Sequence, residues 1–561
     1  MAQSTMSPGT VADAIMRRLR DIGIEQVFGV HGANVEDLYV AALATDGLDP
    51  IVAKHEFSAG TMADGAARIT GVPAVVMTTS GGGAMNVVPA LAESYDSRVP
   101  VLALIGAAPT GLQGRGAFQD MLSAPATIDA PAILGSVSGL CLTVTDPGGI
   151  HQALDAAEEV LARNLPVVLI VPKDVQRAPA PVQSRNVRFP ARAALPVAEL
   201  ETVAAALTTA RGAVVVLAGD EAARQQVGAE LADLVDAVRG VLAVTPGGRD
   251  TIGPASPTVG VAGVMGHLSA AKAVSAAAVV LVIGSRLPVT DRAGLDLDGT
   301  TVIHLGAEQP TCLVTQHIRV TDLKSAIELI VKNIDTSIAV VDRLSPGLET
   351  LSGPARLVGG TESSPMTSTE VVEILGGQIP EGANVFADAG NVGAAAVHHL
   401  PVGRGGRFLV ALGMGGMGYA FGAAIGAAMA TGRRSVVLAG DGAFFMHGME
   451  IHTAIEHRVP LTVVIFNNDA HGMCVTREQL YFPGTASVNR FRPTDFVAGL
   501  TGLFPGLPVH GAAVRDDLAT AADTVFAHHD GPNCLVVQTD PDEMPPFAPF
   551  VTAFESLEEN R

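Results

Sequence analysis

Apolar positions along this chain follow two alternating periods. Residues 11–22 place Val11, Ile15, Leu19 and Ile22 on one side of a helix, at the 3.6-residue repeat. Val27, Phe28 and Val30 then read as a short strand that ends in His31-Gly32. The pattern predicts a helix over 58–70, a strand over 74–79 and a helix over 84–94. The continuous apolar run 99–105 is what a strand buried on both faces needs. A Pro- and Arg-rich stretch without periodicity, 177–196, reads as a linker. A second unit, near 197–340, has strands at 213–217 and 278–283. Another loose stretch, 343–366, carries Pro, Gly and Ser. A third unit follows, with strands near 385–387, 435–439 and 461–466 and a helix over 447–457.

Strands that alternate with helices predict parallel sheets covered on both faces. The expected fold class is therefore α/β, with three doubly wound parallel-sheet domains at 1–180, 197–342 and 366–545. No short repeat is visible. The first and third units share only their general α/β character.

Composition agrees with this picture. At roughly 100–200 residues per domain, 561 residues suggest three domains. With 48% hydrophobic and 16% charged residues, the chain builds large cores and is not disordered. A formal net charge of −21 argues against nucleic acid and anionic membranes as partners. Cys141, Cys312, Cys474 and Cys534 lie far apart, with no metal-ligand or CxxC spacing. The first residues, MAQSTMSPGT, lack the basic and apolar regions of a signal peptide, and no apolar run reaches 18 residues. A cytoplasmic protein without a membrane span is expected.

The strongest chemical signal is in the third unit. The strand 435–439 runs into Gly440-Asp441-Gly442, and 24 residues later the strand LTVVIF ends in Asn467-Asn468. Two strand ends thus present an Asp and an Asn at the carboxyl edge of a sheet, where open α/β folds bind ligands. Glycines let the backbone approach phosphate, and a following helix N-terminus offers free N–H groups to anionic oxygens. Asp441 and the Asn468 amide oxygen are hard ligands suited to Mg²⁺. No GxGxxG follows the first strand with an acidic residue about 20 positions on, which counts against a nucleotide-dependent oxidoreductase.

The segment GDGAFFMHGMEIHTAIEHRVPLTVVIFNN resembles the thiamine-diphosphate (ThDP) binding motif of the acetolactate synthase, pyruvate decarboxylase and benzaldehyde lyase superfamily. The resemblance runs through nearly the whole chain. KHEFSAGTMADGAARITG resembles the family's segment around its catalytic glutamate, here Glu56. TSGGGAMN resembles the family's TSGPGATN, with Gly82 in place of proline. Phe118-Gln119 matches an active-site pair, and PKDVQ resembles the end of the first domain. GMGGMGYAFGAAIGA resembles the stretch whose methionine, here Met417, props the cofactor into a bent shape. The three domains implied are pyrimidine-binding, middle and diphosphate-binding.

The resemblance implies Asp441, Asn468 and the Ala470 carbonyl as Mg²⁺ ligands. Gly442, Ala443, His471, Gly472, Ala389, Gly390 and Asn391 would lie at the diphosphate, with Gly415, Gly440, Met446 and Met473 in the same cofactor-binding set. Glu56 would hydrogen-bond the pyrimidine ring and so promote loss of the thiazolium proton. His31 and Asn34 sit in FGVHGAN, which resembles the HGAH of benzaldehyde lyase; an acetolactate synthase carries Pro-Gly-Gly there. Both join Glu56 and Gln119 as candidate catalytic residues. Phe118, Gln119, His447 and Arg477 are the candidate substrate-binding residues. Arg477 replaces a tryptophan of acetolactate synthases, and a guanidinium suits a carboxylate.

The implied activity is ThDP- and Mg²⁺-dependent carboligation of a 2-keto-acid-derived enamine with a second carbonyl compound. The alternatives are a 2-keto acid decarboxylase or acyloin lyase and, in another class, a non-catalytic ThDP-binding relative. Implied partners are small 2-keto acids or aldehydes and a second copy of the chain, as homodimer or homotetramer. GVMGHLSAAKAV and VIGSRLPVTDR resemble the region that holds FAD in acetolactate synthases. The family's HIDIDP reads HLGAEQP here, a departure that disfavours FAD while leaving it open.

Overall fold

A computed structural model describes residues 9–181, 194–252, 256–337, 344–351, 356, 365–401 and 405–559. Most of the two expected linkers lies outside the described residues. Eighteen strands form three parallel six-stranded sheets.

The first sheet holds β1 (Gln26–Val30), β2 (Asp49–Val52), β3 (Ala74–Thr78), β4 (Val101–Ala107), β5 (Leu140–Thr143) and β6 (Val167–Pro172), in the order β2-β1-β3-β4-β6-β5. The second holds β7 (Val214–Ala218), β8 (Val241–Val244), β9 (Thr258–Val261), β10 (Val279–Ile283), β11 (Thr301–Gly306) and β12 (Gln316–Arg319), in the order β12-β11-β10-β7-β8-β9. The third holds β13 (Asn384–Ala387), β14 (Phe408–Val410), β15 (Ser435–Gly440), β16 (Leu461–Asn467), β17 (Val509–Ala512) and β18 (Asn533–Gln538), in the order β14-β13-β15-β16-β18-β17. The first and third sheets therefore repeat one strand order, a closer kinship than their sequences suggest. The central strands β4, β7, β10 and β16 are buried along their whole length, as continuous Val/Leu/Ile runs require.

The first and third units meet along two helices. Glu56–Thr70 packs against Tyr419–Thr431 through small residues. A Cβ on Gly422 would overlap Thr61 Oγ1, one on Gly426 the Met62 carbonyl oxygen, and one on Gly65 the Ala423 carbonyl oxygen. Glycine here allows two backbones to touch, and the cores of the two units merge into one cluster.

Three predicted elements differ in detail. The helix expected over 84–94 is two, Gly82–Asn86 and Val88–Asp96, because Pro89 in the first turn of the second has no N–H to continue the first. The helix expected from 58 begins at Glu56, with His55 as its N-cap: Phe57 N–H donates to His55 Nδ1 at 3.0 Å. The helix expected over 447–457 starts at Asp441 and is interrupted by a 3₁₀ turn, Gly448–Glu450, before Ile451–Glu456.

Candidate active site

The carboxyl ends of β13, β15 and β16 converge on one cavity of about 70 Å³. Its lining includes Ala389, Gly390, Asn391, Met417, Gly440, Asp441, Gly442, Ala443, Asn468, Ala470, His471, Gly472 and Met473. Three separate sequence motifs thus come together in space. Glu56, Gly415 and Met446 do not line it.

The polar atoms in this cavity have few partners. Asp441 is buried, and its Oδ1 accepts the Gly442 N–H at 2.7 Å, but Oδ2 has no partner among the described residues. Burial pushes the carboxyl up to about 6. Both side-chain polar atoms of buried Asn391 are also without a hydrogen bond. Asn468 Oδ1 accepts the Ala470 N–H at 3.1 Å and folds the loop back on itself, helped by Asp469 at φ 52°. A Cβ on Gly472 would lie 2.7 Å from Asn468 Nδ2 and 2.9 Å from Asn391 Nδ2, so only glycine leaves the approach open. An unpaired buried carboxylate oxygen and an unpaired buried amide cost free energy unless a ligand satisfies them. One carboxylate, one amide oxygen and nearby backbone N–H groups are the donor set that a cation-bound diphosphate needs. Among the described residues, no group of three or more His, Cys, Asp or Glu could hold a metal by itself.

The remaining candidates sit apart from this cavity. Glu56 is buried at the first position of its helix; Asn86 Nδ2 donates to its Oε2 at 2.9 Å, and Oε1 lies beside Gly83. Asn34 Nδ2 donates to Ser80 Oγ at 2.7 Å, and Ser80 Oγ donates to Gln119 Oε1 at 3.4 Å. Gln119 is held at φ 58°, and Phe118 is 77% exposed. His31 is exposed, with its ring 4.9 Å from that of Tyr39. His447 packs on Phe57 and His55 at 4.3 and 5.3 Å between ring centroids, and burial, with the His55 charge next, lowers it to about 4. Met446 and Arg477 are exposed, and Arg477 has no ion-pair partner among the described residues.

One of the two flavin-like segments of the middle unit, VIGSRLPVTDR, borders a cleft of about 180 Å³ shared by all three units. Three of its four arginines are ion-paired within the chain, Arg68 to Asp64 at 2.6 Å, Arg407 to Asp250 at 2.5 Å and Arg224 to Asp220 at 3.2 Å; the fourth, Arg286, donates to the Asp96 carbonyl oxygen and lies 3.9 Å from that residue's carboxylate.

All three parts of one family match. The N-terminal TPP binding domain of thiamine pyrophosphate enzymes matches residues 9–127, the central domain 200–337 and the C-terminal TPP binding domain 388–537. This chain belongs to the thiamine pyrophosphate enzyme family. It is thus an enzyme acting on carbon–carbon bonds, and its cofactor is thiamine diphosphate. It is 29% identical over 516 residues to a probable acetolactate synthase large subunit of Methanocaldococcus jannaschii, covering 87% of this chain and 85% of that one. It is 28% identical over 530 residues to the acetolactate synthase large subunit of Corynebacterium glutamicum, covering 88% and 81%. A thiamine diphosphate-dependent 4-hydroxybenzoylformate decarboxylase of Rhodococcus jostii RHA1 shares its fold, with a TM-score of 0.79 at 20% identity over 95% of this chain and 99% of that one.

Two residues of this thiamine pyrophosphate enzyme escaped the sequence reading. Asp388, fully buried and pushed by burial to about 6, accepts N–H groups of Ala389, Gly418 and Ala420 at 2.8 to 3.1 Å. It ties the Ala389–Gly390 turn to the loop that carries Met417. Ser80 joins Asn34 to Gln119. An acid at a strand end was the available signal for Asp388; Ser80 lies in the TSGGGAMN motif, whose resemblance assigns it no role. Among the described residues, no helix is long and apolar enough to cross a membrane.

Proposed function

We propose that this enzyme uses thiamine diphosphate and Mg²⁺ to join the acyl carbon of a decarboxylated 2-keto acid to a second carbonyl compound, as an acetolactate synthase does. The buried, unpaired Oδ2 of Asp441, a residue lining the cavity that also gathers Asn391, Asn468 and Gly472, carries the reading. Asp441, the Asn468 amide oxygen and the Ala470 carbonyl would hold Mg²⁺. Backbone groups of Gly442, Ala443, His471 and Gly472 would bind the diphosphate together with Ala389–Asn391, and Gly415 and Met417 would help hold the ring system. The bound cofactor supplies the electron sink that stabilises the carbanion left when CO₂ departs.

The chain's own groups supply geometry and proton handling. Glu56 presents a buried carboxyl to the pyrimidine ring. Asn34, Ser80 and Gln119 form a hydrogen-bonded line that offers amide groups to substrate oxygens. His31 and His447 would border the reacting carbon, Phe118 its apolar rim, and exposed Arg477 a substrate carboxylate. Because Glu56 does not line the diphosphate cavity of its own chain, each site would draw on two copies, in a cytoplasmic homodimer or homotetramer. Domain limits of 1–180, 197–342 and 366–545 go with this assignment. No flavin is assigned, since three of the cleft's four arginines already have close carboxylate partners. Stoichiometric flavin absorption in the purified protein would overturn that point.

The test is product analysis with pyruvate, ThDP and Mg²⁺, with and without an added aldehyde. Coupled hydroxyketone with CO₂ is expected; free aldehyde alone would reject carboligation. That outcome would favour the second reading, a decarboxylase or acyloin lyase, which His31 in the HGAN turn supports.

A further inference from the structure

The two residues that lead into the Glu56 helix, Lys54 and His55, are gripped by the segment that follows Asp441. Lys54 N–H donates to both carboxylate oxygens of Glu450, at 3.0 and 3.2 Å. Lys54 Nζ donates to Glu456 Oε2 at 2.6 Å. The His55 and Phe57 rings pack on His447. Glu450 is only 2% exposed, yet it has no side-chain cation: its remaining bond is from Thr453 Oγ1 at 2.6 Å. A carboxylate buried at this cost, held by one main-chain N–H and a neighbouring hydroxyl without an ion-pair partner among the described residues, needs a reason. Its effect is geometric. Lys54 sits two residues before Glu56, and fixing its peptide sets the plane from which His55 caps the helix and Glu56 leaves it.

We propose that Glu450 is a positioning residue for Glu56. It anchors the helix that carries the carboxyl onto the same 441–456 segment whose first residue faces the diphosphate cavity. The inference rests on the reading of Glu56 as the group that meets the cofactor's pyrimidine ring. A misplacement of about 1 Å at such a group costs on the order of 10²-fold in rate.

The test needs no knowledge of the physiological substrate. Holoenzymes of wild type, Glu450→Ala, Glu450→Gln and Glu56→Gln are prepared with ThDP and Mg²⁺. Two quantities are read: ThDP affinity by calorimetry, and exchange of the bound cofactor's C2 proton with solvent deuterium by quenched NMR. Glu450→Ala should slow exchange about 10- to 100-fold while affinity stays within about 3-fold. Glu450→Gln keeps one oxygen for the Lys54 N–H and should recover most of the rate. Exchange in Glu450→Ala equal to wild type, with Glu56→Gln slow, overturns this proposal alone. Wild-type exchange in Glu56→Gln overturns the reading beneath it. Equal slowing in Glu450→Ala and Glu450→Gln also counts against the proposal, because it points to charge rather than anchoring. If Glu450→Ala does not fold, Glu450→Gln and Thr453→Val carry the same comparison: rates at or near wild type support the proposal, and in Thr453→Val a loss as large as that of Glu56→Gln overturns it.

Discussion

Asp441 should trade stability for binding, and the trade has a calculable sign. In the cofactor-free protein its carboxyl is buried, Oδ2 is unpaired, and burial raises it from 3.8 to about 6. That is a shift of about 2 pH units, or about 3 kcal/mol against the charged form near pH 8. Asp441→Asn keeps the shape and the Gly442 N–H bond but removes the charge. Its buried amide brings an unpaired donor that costs roughly 1–2 kcal/mol. A net stabilisation on the order of 1–2 kcal/mol remains, or a few degrees in the melting of a domain of about 200 residues. Because the folded pKa is raised above the unfolded one, the penalty on wild type is complete above about pH 6 and shrinks as pH falls toward 3.8. Thermal melts in chelator without ThDP should therefore show Asp441→Asn above wild type at about pH 8, the two crossing near about pH 5, and the variant below wild type near about pH 4, where only the cost of its unpaired donor remains. Calorimetry with ThDP and Mg²⁺ should show uptake by wild type and none by the variant. A variant that melts at or below wild type at pH 8, or that still takes up the cofactor, refutes the argument.

Three further outcomes are expected. Glu56→Gln should lower turnover about 10²- to 10⁴-fold while ThDP still binds, read by initial rates beside calorimetry; an unchanged kcat removes Glu56 from the chemistry. The stacked His267 and His398 rings, 4.0 Å apart between the middle and third units, are lowered by burial and then by neighbouring cationic groups to about 3 and about 4. Their contribution is complete above about pH 6.5 and is lost as pH falls toward 4, at up to about 1.4 kcal/mol per unit for each ring; a urea midpoint flat across that window, or unaltered in its slope by His398→Asn, contradicts this. Gly422→Ala should cost about 1–3 kcal/mol, because its Cβ would overlap Thr61 Oγ1 and approach the Ser58 carbonyl at 2.6 Å; an unshifted denaturation midpoint would mean that the two helices can part cheaply.

Much of this architecture was legible because it rests on local rules. Fully buried strands such as β4 and β16 announce themselves as unbroken Val/Leu/Ile runs. Asp441 and Asn468 are legible because chemistry demands an acid and an amide at adjacent strand ends, and both positions lie on one cavity with Asn391 and Gly472. Less visible was the common strand order of the first and third sheets. Strand order depends on crossovers, and crossover geometry leaves no residue pattern that survives divergence.

What stayed hidden belongs to side chains that act on backbone. Asp388 binds three N–H groups of two loops, Ser80 bridges two amides, and Glu450 holds the Lys54 peptide 396 residues away. The Asp388 and Glu450 contacts do not depend on the identity of the residue whose N–H is held, so no pairwise sequence signal marks them. Burial alone would have given a hint, since a carboxylate without a cation enters a core only where it fixes something else. The cavity at the strand ends is thus lined by residues of short motifs. Asp388 and Glu450, which hold the Met417 loop and the Lys54 peptide, are isolated polar residues that become readable only once the sheets have brought their targets within hydrogen-bond reach.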